Sequence, residues 1–403
     1  MTEVALGGMK VVELARMVSG PYCAKLLADM GAEVVKVEAP VGGDPARARG
    51  PFPGDIPHHE KSGLFLYVNT SKRGVTLDIR SHTGRELLHG LLKDADIFVE
   101  DFTPGYLKSL GLGPEELTER YTKLIVLSVT PFGEYGPHSK YKMRHVNSYH
   151  ATGEGYILPG GKTNLDRAPV KAGNYAGDYE SGYGAAIAAL GALYYQRMTG
   201  QGQHIDFSKQ EWQTTLGRSF QDRYPNEGYV DTRAKNTLVF GGQLPAKDGW
   251  VMIYAAGGQR QWDGLVEAMG RPEWAKDEKF KNTPSRAKNN AELNQRLAEW
   301  TRQHTKKELY YLGQSKGVPV TISSTTEDLL NWEHLVKVRN FFTEITHPEA
   351  GTLTYPSAPW RFSETPWHAS RPAPLLGEHN VEVFTALGYS KQDLVRMRGA
   401  GII

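Results

Sequence analysis

The stretch 10–37 constrains the fold more than any other part of this chain. KVVEL at 10–14 is a short apolar strand. The turn Arg16-Met17-Val18-Ser19-Gly20-Pro21 follows, with Ser19 placed to cap a helix and Pro21 in its first turn. Residues 22–30 put Leu26, Leu27 and Met30 on one helix face, and Gly31 ends the helix. EVVKV at 33–37 is the next strand. Two strands joined by a helical crossover run parallel, and the crossover is right-handed.

The alternation continues through the first third. Strands are expected at 75–79, 97–100 and 124–129. Helices are expected at 81–94, carrying Leu87, Leu88, Leu91 and Leu92, and at 114–121. The fold class is therefore α/β, with a Rossmann-like, open, doubly wound parallel sheet in a large domain. The dinucleotide fingerprint is missing, because no G-x-G-x-x-G follows the first strand, so NAD is not expected. Gly200-Gln201-Gly202 lies between a helix and a strand and reads as a turn.

Near residue 225 the pattern changes. Asp248-Gly249 is a turn signal before a strand at 250–254. Helices follow at 261–269, 291–301 and 305–312, the last opened by a Thr305/Glu308 capping box, with a strand at 317–320. This places a smaller α/β domain at 225–325 and leaves 326–403 to complete the large domain 1–224. Pro356, Pro359, Pro366, Pro372 and Pro374 make the tail read as largely extended, closing with a short helix near 392–398.

Composition narrows the partners. Charged residues are 23% of 403 and the formal net charge is +2, with no basic block or acidic tail. Neither nucleic acid nor a membrane surface is expected. The one cysteine, Cys23, excludes an internal disulfide or a Cys-based metal cluster and reads as a small buried hydrophobe. No apolar run reaches the ~20 residues that span a bilayer. The start lacks the layout of a signal peptide, so a soluble cytoplasmic protein is expected.

GDYESG at 177–182 stands before the Ala-rich stretch 185–198, which is built for close helix packing. Asp178 has two readings. As an N-cap it would close the first turn of that helix, and local spacing slightly favours this. As a nucleophile it would attack an acyl group and give a mixed anhydride, which preserves acyl activation. A carboxylate needs no neighbouring base to be charged at neutral pH. The intermediate would need a dry pocket and donors for the developing oxyanion, and the flanking glycines allow close backbone approach.

Lys72, Arg73, Arg80, Lys142 and Arg144 fall at strand ends or in loops. They could converge on phosphate or simply be solvated surface charge. His145, His150 and His204 could be bases or metal ligands, but no H-E-x-x-H exists and no metal site is expected. No G-x-S-x-G elbow occurs.

Motifs spread from end to end add a resemblance. They are LGGMKVVEL at 6–14, GAEVVKVE at 31–38 with Gly43-Asp44 after it, NTSKRGVTLD at 69–78 and ADIFVEDF at 95–102. TGQG at 199–202 with IDFS at 205–208, and PLLGEH at 374–379, complete the set. Together they resemble the class III (family III) CoA-transferases, the group of formyl-CoA:oxalate and carnitine CoA-transferases. The resemblance implies a nucleophilic aspartate at Asp178, and it reverses the order of the two readings. It implies transfer of CoA from an acyl-CoA to a carboxylic acid through an aspartyl anhydride and an aspartyl-CoA thioester. No ATP, metal or permanently bound cofactor is needed, because the CoA thioester is a substrate. Implied CoA contacts are Met17, Val18, Ser19, Leu77, Arg80, Asp101, Phe102, Lys142 and Arg144.

Two positions depart from the family pattern. Ala39 and Thr103 stand where some members have arginine, so the phosphate grip must be rebuilt, with Lys108 or Arg47 as substitutes. The resemblance further implies interlocked dimers, in which each chain threads a ring made by the other, or a heteromer with a related subunit. Rival readings are an α-methylacyl-CoA racemase, whose histidine would fall on Arg144 or, one residue on, His145, and a non-catalytic partner subunit. Tyr149, Tyr156, Tyr175 and Tyr179 cluster around Asp178 in sequence and leave room for a bulky acid. The stretch 149–178 is similar to carnitine-type and benzylsuccinate-type enzymes, with succinyl-CoA the donor for the latter.

Overall fold

The computed structural model describes residues 4–158, 165–234, 240–255 and 258–403. It divides into two compact units: Met1–Gly155 with Val170–Tyr229 and Phe341–Ile403, and Tyr156–Pro169 with Val230–Asn340. The sequence pattern draws the smaller domain at 225–325, whereas this second unit runs on to Asn340 and takes in Tyr156–Pro169.

The first unit is built on six strands: β1 (Lys10–Glu13), β2 (Glu33–Glu38), β3 (Lys72–Thr76), β4 (Ile97–Glu100), β5 (Ile125–Thr130) and β6 (His204–Ser208). Their order is β3-β2-β1-β4-β5-β6, and every pair is parallel. This is the doubly wound order, with the chain reversing its direction of travel between β1 and β4.

Strand residues alternate between two cores because side chains alternate across a strand. Val11, Val34, Ile97 and Ile125 face one core, with Cys23, Leu27, Ala185, Ala189 and Leu193. Val12, Val35, Phe98 and Val126 face the other, with Leu87, Leu88 and Leu92 of the helix His82–Leu92. The first core is where helix Ser19–Asp29 packs against the long helix Ala176–Thr199. Small residues permit that approach: a Cβ on Gly182 would lie 2.9 Å from the Ser19 carbonyl oxygen.

Three local expectations change. The third strand covers Lys72–Thr76 rather than 75–79. Its first residue reads as polar but is fully buried, because Lys72 Nζ pairs with Glu13 at 2.6 Å and donates to the Pro21 and Val68 carbonyls. Ser19 does not cap the first helix: Val18 holds the N-cap position and the Ser19 hydroxyl points elsewhere. The tail is not merely extended. β10 (Phe342–His347) and β11 (Gly351–Pro356) form an antiparallel hairpin, and a helix spans Asn380–Ala386. His347 Nδ1 closes the hairpin turn by accepting from the Glu349 and Ala350 amides.

The second unit holds the antiparallel sheet β7 (Phe240–Ala246), β8 (Gly249–Ala255) and β9 (Val320–Ile322). Its core gathers Phe240, Ile253, Trp262, Phe280, Leu293 and Leu309. Thr305 and Glu308 make the expected capping box at the start of helix Lys306–Ser315. Among the described residues, no helix is long and apolar enough to cross a membrane.

Candidate active site

In open parallel sheets, ligands bind beyond the carboxyl ends of the strands where the strand order reverses. Here the loops after β1, β4, β5 and β6 converge there. A cavity of about 500 Å³ is lined by Met17, Val18 and Ser19 from the first loop, Asp101 from the second, Pro131 from the third and Lys209 from the fourth. Arg144, His145, Lys171, Tyr175 and Asp178 complete the wall.

Asp178 sits inside the helix Ala176–Thr199, in its first turn, and Tyr175 takes the N-cap position without a side-chain bond. Asp178 is therefore not the cap that spacing alone suggested. The residue is 7% exposed, and its carboxylate looks across to other elements. Oδ1 forms an ion pair with Lys209 Nζ and accepts from Ser19 Oγ at 3.3 Å. Oδ2 accepts no hydrogen bond from any described residue. The turn is fixed from behind: Ser148 Oγ donates to Gln213 Oε1 at 2.7 Å, Gln213 Nε2 to Ser181 Oγ, and Ser181 Oγ to the Gly177 carbonyl. A Cβ on Gly177 would collide with Gln213 at 2.4 Å, so glycine there lets the amide side chain in.

The Met17–Ser19 loop is held by a buried ion cluster. Met17 has φ 63°, in the left-handed region that non-glycine residues avoid. Asp44 Oδ1 holds it there, accepting from the Met17 amide at 2.9 Å and the Ala46 amide at 2.8 Å. Asp44 pairs in turn with Lys36 at 2.9 Å, and Lys36 with Glu13 at 2.8 Å. Burial works against the charge on Asp44, but Lys36 and the two amides outweigh it and hold its carboxyl below the usual range. Burial likewise opposes the charge on Lys36, and Asp44 and Glu13 more than restore it. For Lys72 burial wins, and its ammonium is brought down to about 8.

A second cavity, of about 400 Å³, opens beside the first. Leu77, Arg80 and Phe102 line it, with Ala39 and Tyr106. Phe102 stacks on Tyr106 with centroids 5.0 Å apart. Arg16 lines both cavities: its guanidinium lies 4.3 Å from the Phe102 centroid and its Nε donates to Asp101 at 3.4 Å. Burial raises the Asp101 carboxyl above its ordinary range, and Arg16 opposes that rise.

Several candidates fall elsewhere. Lys142 is exposed and lines neither cavity. Lys72 is buried in the ion cluster, and Arg73 reaches Glu382 and Glu33, so neither is free for phosphate. Arg47 is not a phosphate substitute: Glu38, Glu60 and the Pro374 carbonyl enclose it. Lys108 pairs with Glu115 at 3.3 Å outside both cavities. Of the four tyrosines, only Tyr175 faces the Asp178 cavity. Tyr179 packs edge-on to Tyr22, Tyr149 is buried, and Tyr156 lies exposed in the second unit. His145 lines the cavity with both ring nitrogens unbonded, and burial lowers its imidazole below the ordinary range, with Lys171 adding to the drop. Among the described residues no group of three or more His, Cys, Asp or Glu side chains is placed to hold a metal. Sequence reasoning missed Lys209 and Arg16. Lys209 directly follows β6 and Arg16 lies three residues past β1, and position just beyond a strand end was the signal that could have found them.

The family model described as CoA-transferase family III matches residues 6–380. The chain belongs to CoA-transferase family III. Succinyl-CoA–D-citramalate CoA-transferase of Chloroflexus aurantiacus is 32% identical over 99% of this chain and 98% of that one. A subunit of succinyl-CoA:(R)-benzylsuccinate CoA-transferase of Thauera aromatica is 32% identical, covering 95% of each chain. Formyl-CoA:oxalate CoA-transferase of Streptomyces coelicolor is 30% identical across the full length of both. A crystal structure of a CAIB/BAIF family protein from Brucella suis superposes with a TM-score of 0.83 at 30% identity, covering 96% of this chain and all of the other. This CoA-transferase thus has the fold and the reaction of its family, the transfer of CoA between acids.

Proposed function

We propose that this CoA-transferase works through a covalent aspartyl intermediate at Asp178. One observation carries the reading: a buried carboxylate in the wall of a cavity, with one oxygen held by Lys209 and Ser19 and the other accepting from no described residue. Asp178 attacks the donor thioester and expels CoA thiolate, leaving a mixed anhydride. The thiolate then attacks the aspartyl carbon, releases the donor acid and leaves an aspartyl-CoA thioester. The acceptor carboxylate displaces CoA in turn, and the thiolate returns to the acceptor acyl carbon to give the new acyl-CoA.

Met17, Val18, Ser19, Asp101 and Arg144 surround the reacting end of CoA in this reading, while Leu77, Arg80 and Phe102 take its other end in the second cavity. Lys142 would join them only by reaching in from the surface. The large domain then carries both CoA and catalysis. Succinyl-CoA is the proposed donor, supported by the names of several relatives, and the acceptor is a benzylsuccinate- or carnitine-like acid. Tyr183, Ile187, Tyr194 and Met198 form an exposed stripe along the long helix, which fits burial in an interlocked homodimer or a heteromer with a related subunit. A cytoplasmic setting fits the single free cysteine.

The test is mass spectrometry of the protein after incubation with a panel of acyl-CoA donors, followed by hydroxylamine trapping. A hydroxamate at Asp178, absent from Asp178→Asn, is the expected result. No modification at Asp178 with any donor removes the covalent reading. Full activity of Asp178→Ala in an assembled complex would instead make this chain the silent subunit. The unbonded imidazole of His145 in the same cavity favours a second reading, epimerisation at the acyl α-carbon. Exchange of the α-proton with solvent deuterium, without a CoA acceptor, distinguishes it.

A further inference from the structure

The two oxygens of Asp178 are not equivalent. Oδ1 carries both contacts, the Lys209 ammonium and the Ser19 hydroxyl, while Oδ2 has neither. We propose that Lys209 and Ser19 are the oxyanion site for attack at the Asp178 side-chain carbonyl carbon, Cγ. The proposal rests on the covalent reading above.

A carboxylate attacks through the oxygen whose lone pairs are free. Oδ2 therefore forms the bond to the donor acyl carbon as the C–S bond breaks and the electron pair leaves on CoA sulfur. Oδ1 remains as the carbonyl oxygen of Cγ. The thiolate next adds its electron pair to Cγ, and the C=O pair moves onto Oδ1. Collapse breaks the Cγ–Oδ2 bond, and the donor acid departs as a carboxylate carrying Oδ2. The acceptor carboxylate then adds to Cγ, Oδ1 takes the negative charge again, and collapse breaks Cγ–S. No proton changes hands in these steps. In both, charge develops on the atom that already has an ammonium and a hydroxyl against it.

Donors fixed before charge develops are the effective kind, because they need not reorganise during reaction. Both are fixed here. Lys209 is the first residue of the helix Lys209–Thr215, which follows β6 and is capped by Ser208. Ser19 is the first residue of the helix that Gly182 allows against the long helix. The side chains of Lys209 and Asp178 are 18% and 10% exposed, so water screens the pair weakly. Loading differs: attack on the donor acyl carbon builds charge on the donor's own oxygen, not on Oδ1. Lys209 therefore acts on the steps at Cγ and little on loading.

The experiment separates those steps. Wild type, Lys209→Met, Lys209→Arg and Ser19→Ala are loaded with succinyl-CoA, and the adduct on Asp178 is followed by quenched mass spectrometry. Its discharge is driven by hydroxylamine, whose attack at Cγ also puts charge on Oδ1. Loss of one oxyanion donor slows such reactions on the order of 10²–10³-fold. Lys209→Met is expected to slow discharge by about that factor, Ser19→Ala to slow it less, and Lys209→Arg to recover most of it. The rate of first adduct formation is expected to stay within a few-fold of wild type. Discharge of Lys209→Met at the wild-type rate overturns the assignment, as does a defect confined to adduct formation. If wild type itself forms no adduct, the covalent reading falls first and takes this assignment with it, so the two failures are distinct.

Discussion

Ser19 and Asp178 stand 159 positions apart in the chain, yet Ser19 Oγ donates to Asp178 Oδ1 at 3.3 Å. Their meeting depends on Gly182, one turn after Asp178. A Cβ there would press on the Ser19 carbonyl at 2.9 Å and on the Tyr22 ring at 3.0 Å. Two helices thus touch backbone to side chain at the point where the site is assembled.

Gly182→Val is expected to force those helices apart. Overpacking of this kind costs about 1–3 kcal/mol. The thermal midpoint should fall by a few degrees, and kcat should fall more than the KM for acyl-CoA rises, because Ser19 moves relative to Asp178. A thermal melt with steady-state kinetics checks both. Unchanged kcat in a destabilised protein would detach Ser19 from the chemistry.

Asp44→Asn tests the support beneath the Met17–Ser19 loop. It leaves the buried Lys36 with Glu13 as its one ion-pair partner, beside the Ala15 carbonyl, and weakens the grip on the Met17 amide. Breaking a buried pair costs about 3–5 kcal/mol. The pH sign follows from the direction of the shift. The Asp44 carboxyl is held below its ordinary range in the folded protein, so its stabilisation is fully present above the unfolded pKa of about 4. That contribution is lost as pH falls through the lower folded value. Urea titrations from pH 7 to pH 3 should show a shallower acid limb in the variant than in wild type.

Glu100 gives the opposite slope. It ends β4 just before the loop that carries Asp101 and Phe102, accepts from the Phe102 amide at 2.8 Å, and burial pushes its carboxyl up to about 8. An acid with a raised folded pKa contributes stability that is complete below its unfolded pKa and is lost as pH rises through the folded one. Wild type should therefore lose stability between about pH 4.5 and pH 8 through this group, by several kcal/mol at most. Glu100→Gln keeps the shape without the charge, and its stability should vary less across that window. An identical pH profile for the two proteins would sink the prediction.

The sheet was legible because its strands alternate apolar residues to two buried faces and are spaced by helices, a pattern that survives without knowledge of the third dimension. The hairpin in the tail was not, since prolines at its end masked the alternation of FTEITH and GTLTYP. For Asp178, local spacing left a cap slightly ahead of a nucleophile and the resemblance reversed that order; the structure rules out the cap, because Tyr175 holds that position. Lys209 was invisible because its partner is 31 residues away and nothing in SKQE marks a lysine that pairs with a buried aspartate. Arg47 and Lys72 misled for the same physical reason: charge in a sequence reads as surface, whereas here both are enclosed by carboxylates and carbonyls.

Arg16 offers the sharpest check on where CoA lies. It lines both cavities, as Pro45 does, and Asp101 and the Phe102 ring fix its orientation. Arg47 is enclosed, and Arg80 of the second cavity is already paired with Asp78, so the proposed contact to the CoA phosphates falls to Arg16. Arg16→Gln is expected to raise the KM for acyl-CoA on the order of 10-fold with a smaller change in kcat, and to weaken the salt dependence of KM. Lysine should not restore the wild-type value, because a planar fork that stacks on an aromatic ring is not replaced by a point charge. An acyl-pantetheine donor, which lacks the nucleotide, separates this role from simple packing. Its KM should be nearly the same for wild type and Arg16→Gln. If both donors lose affinity equally, Arg16 shapes the cavity wall and does not hold phosphate.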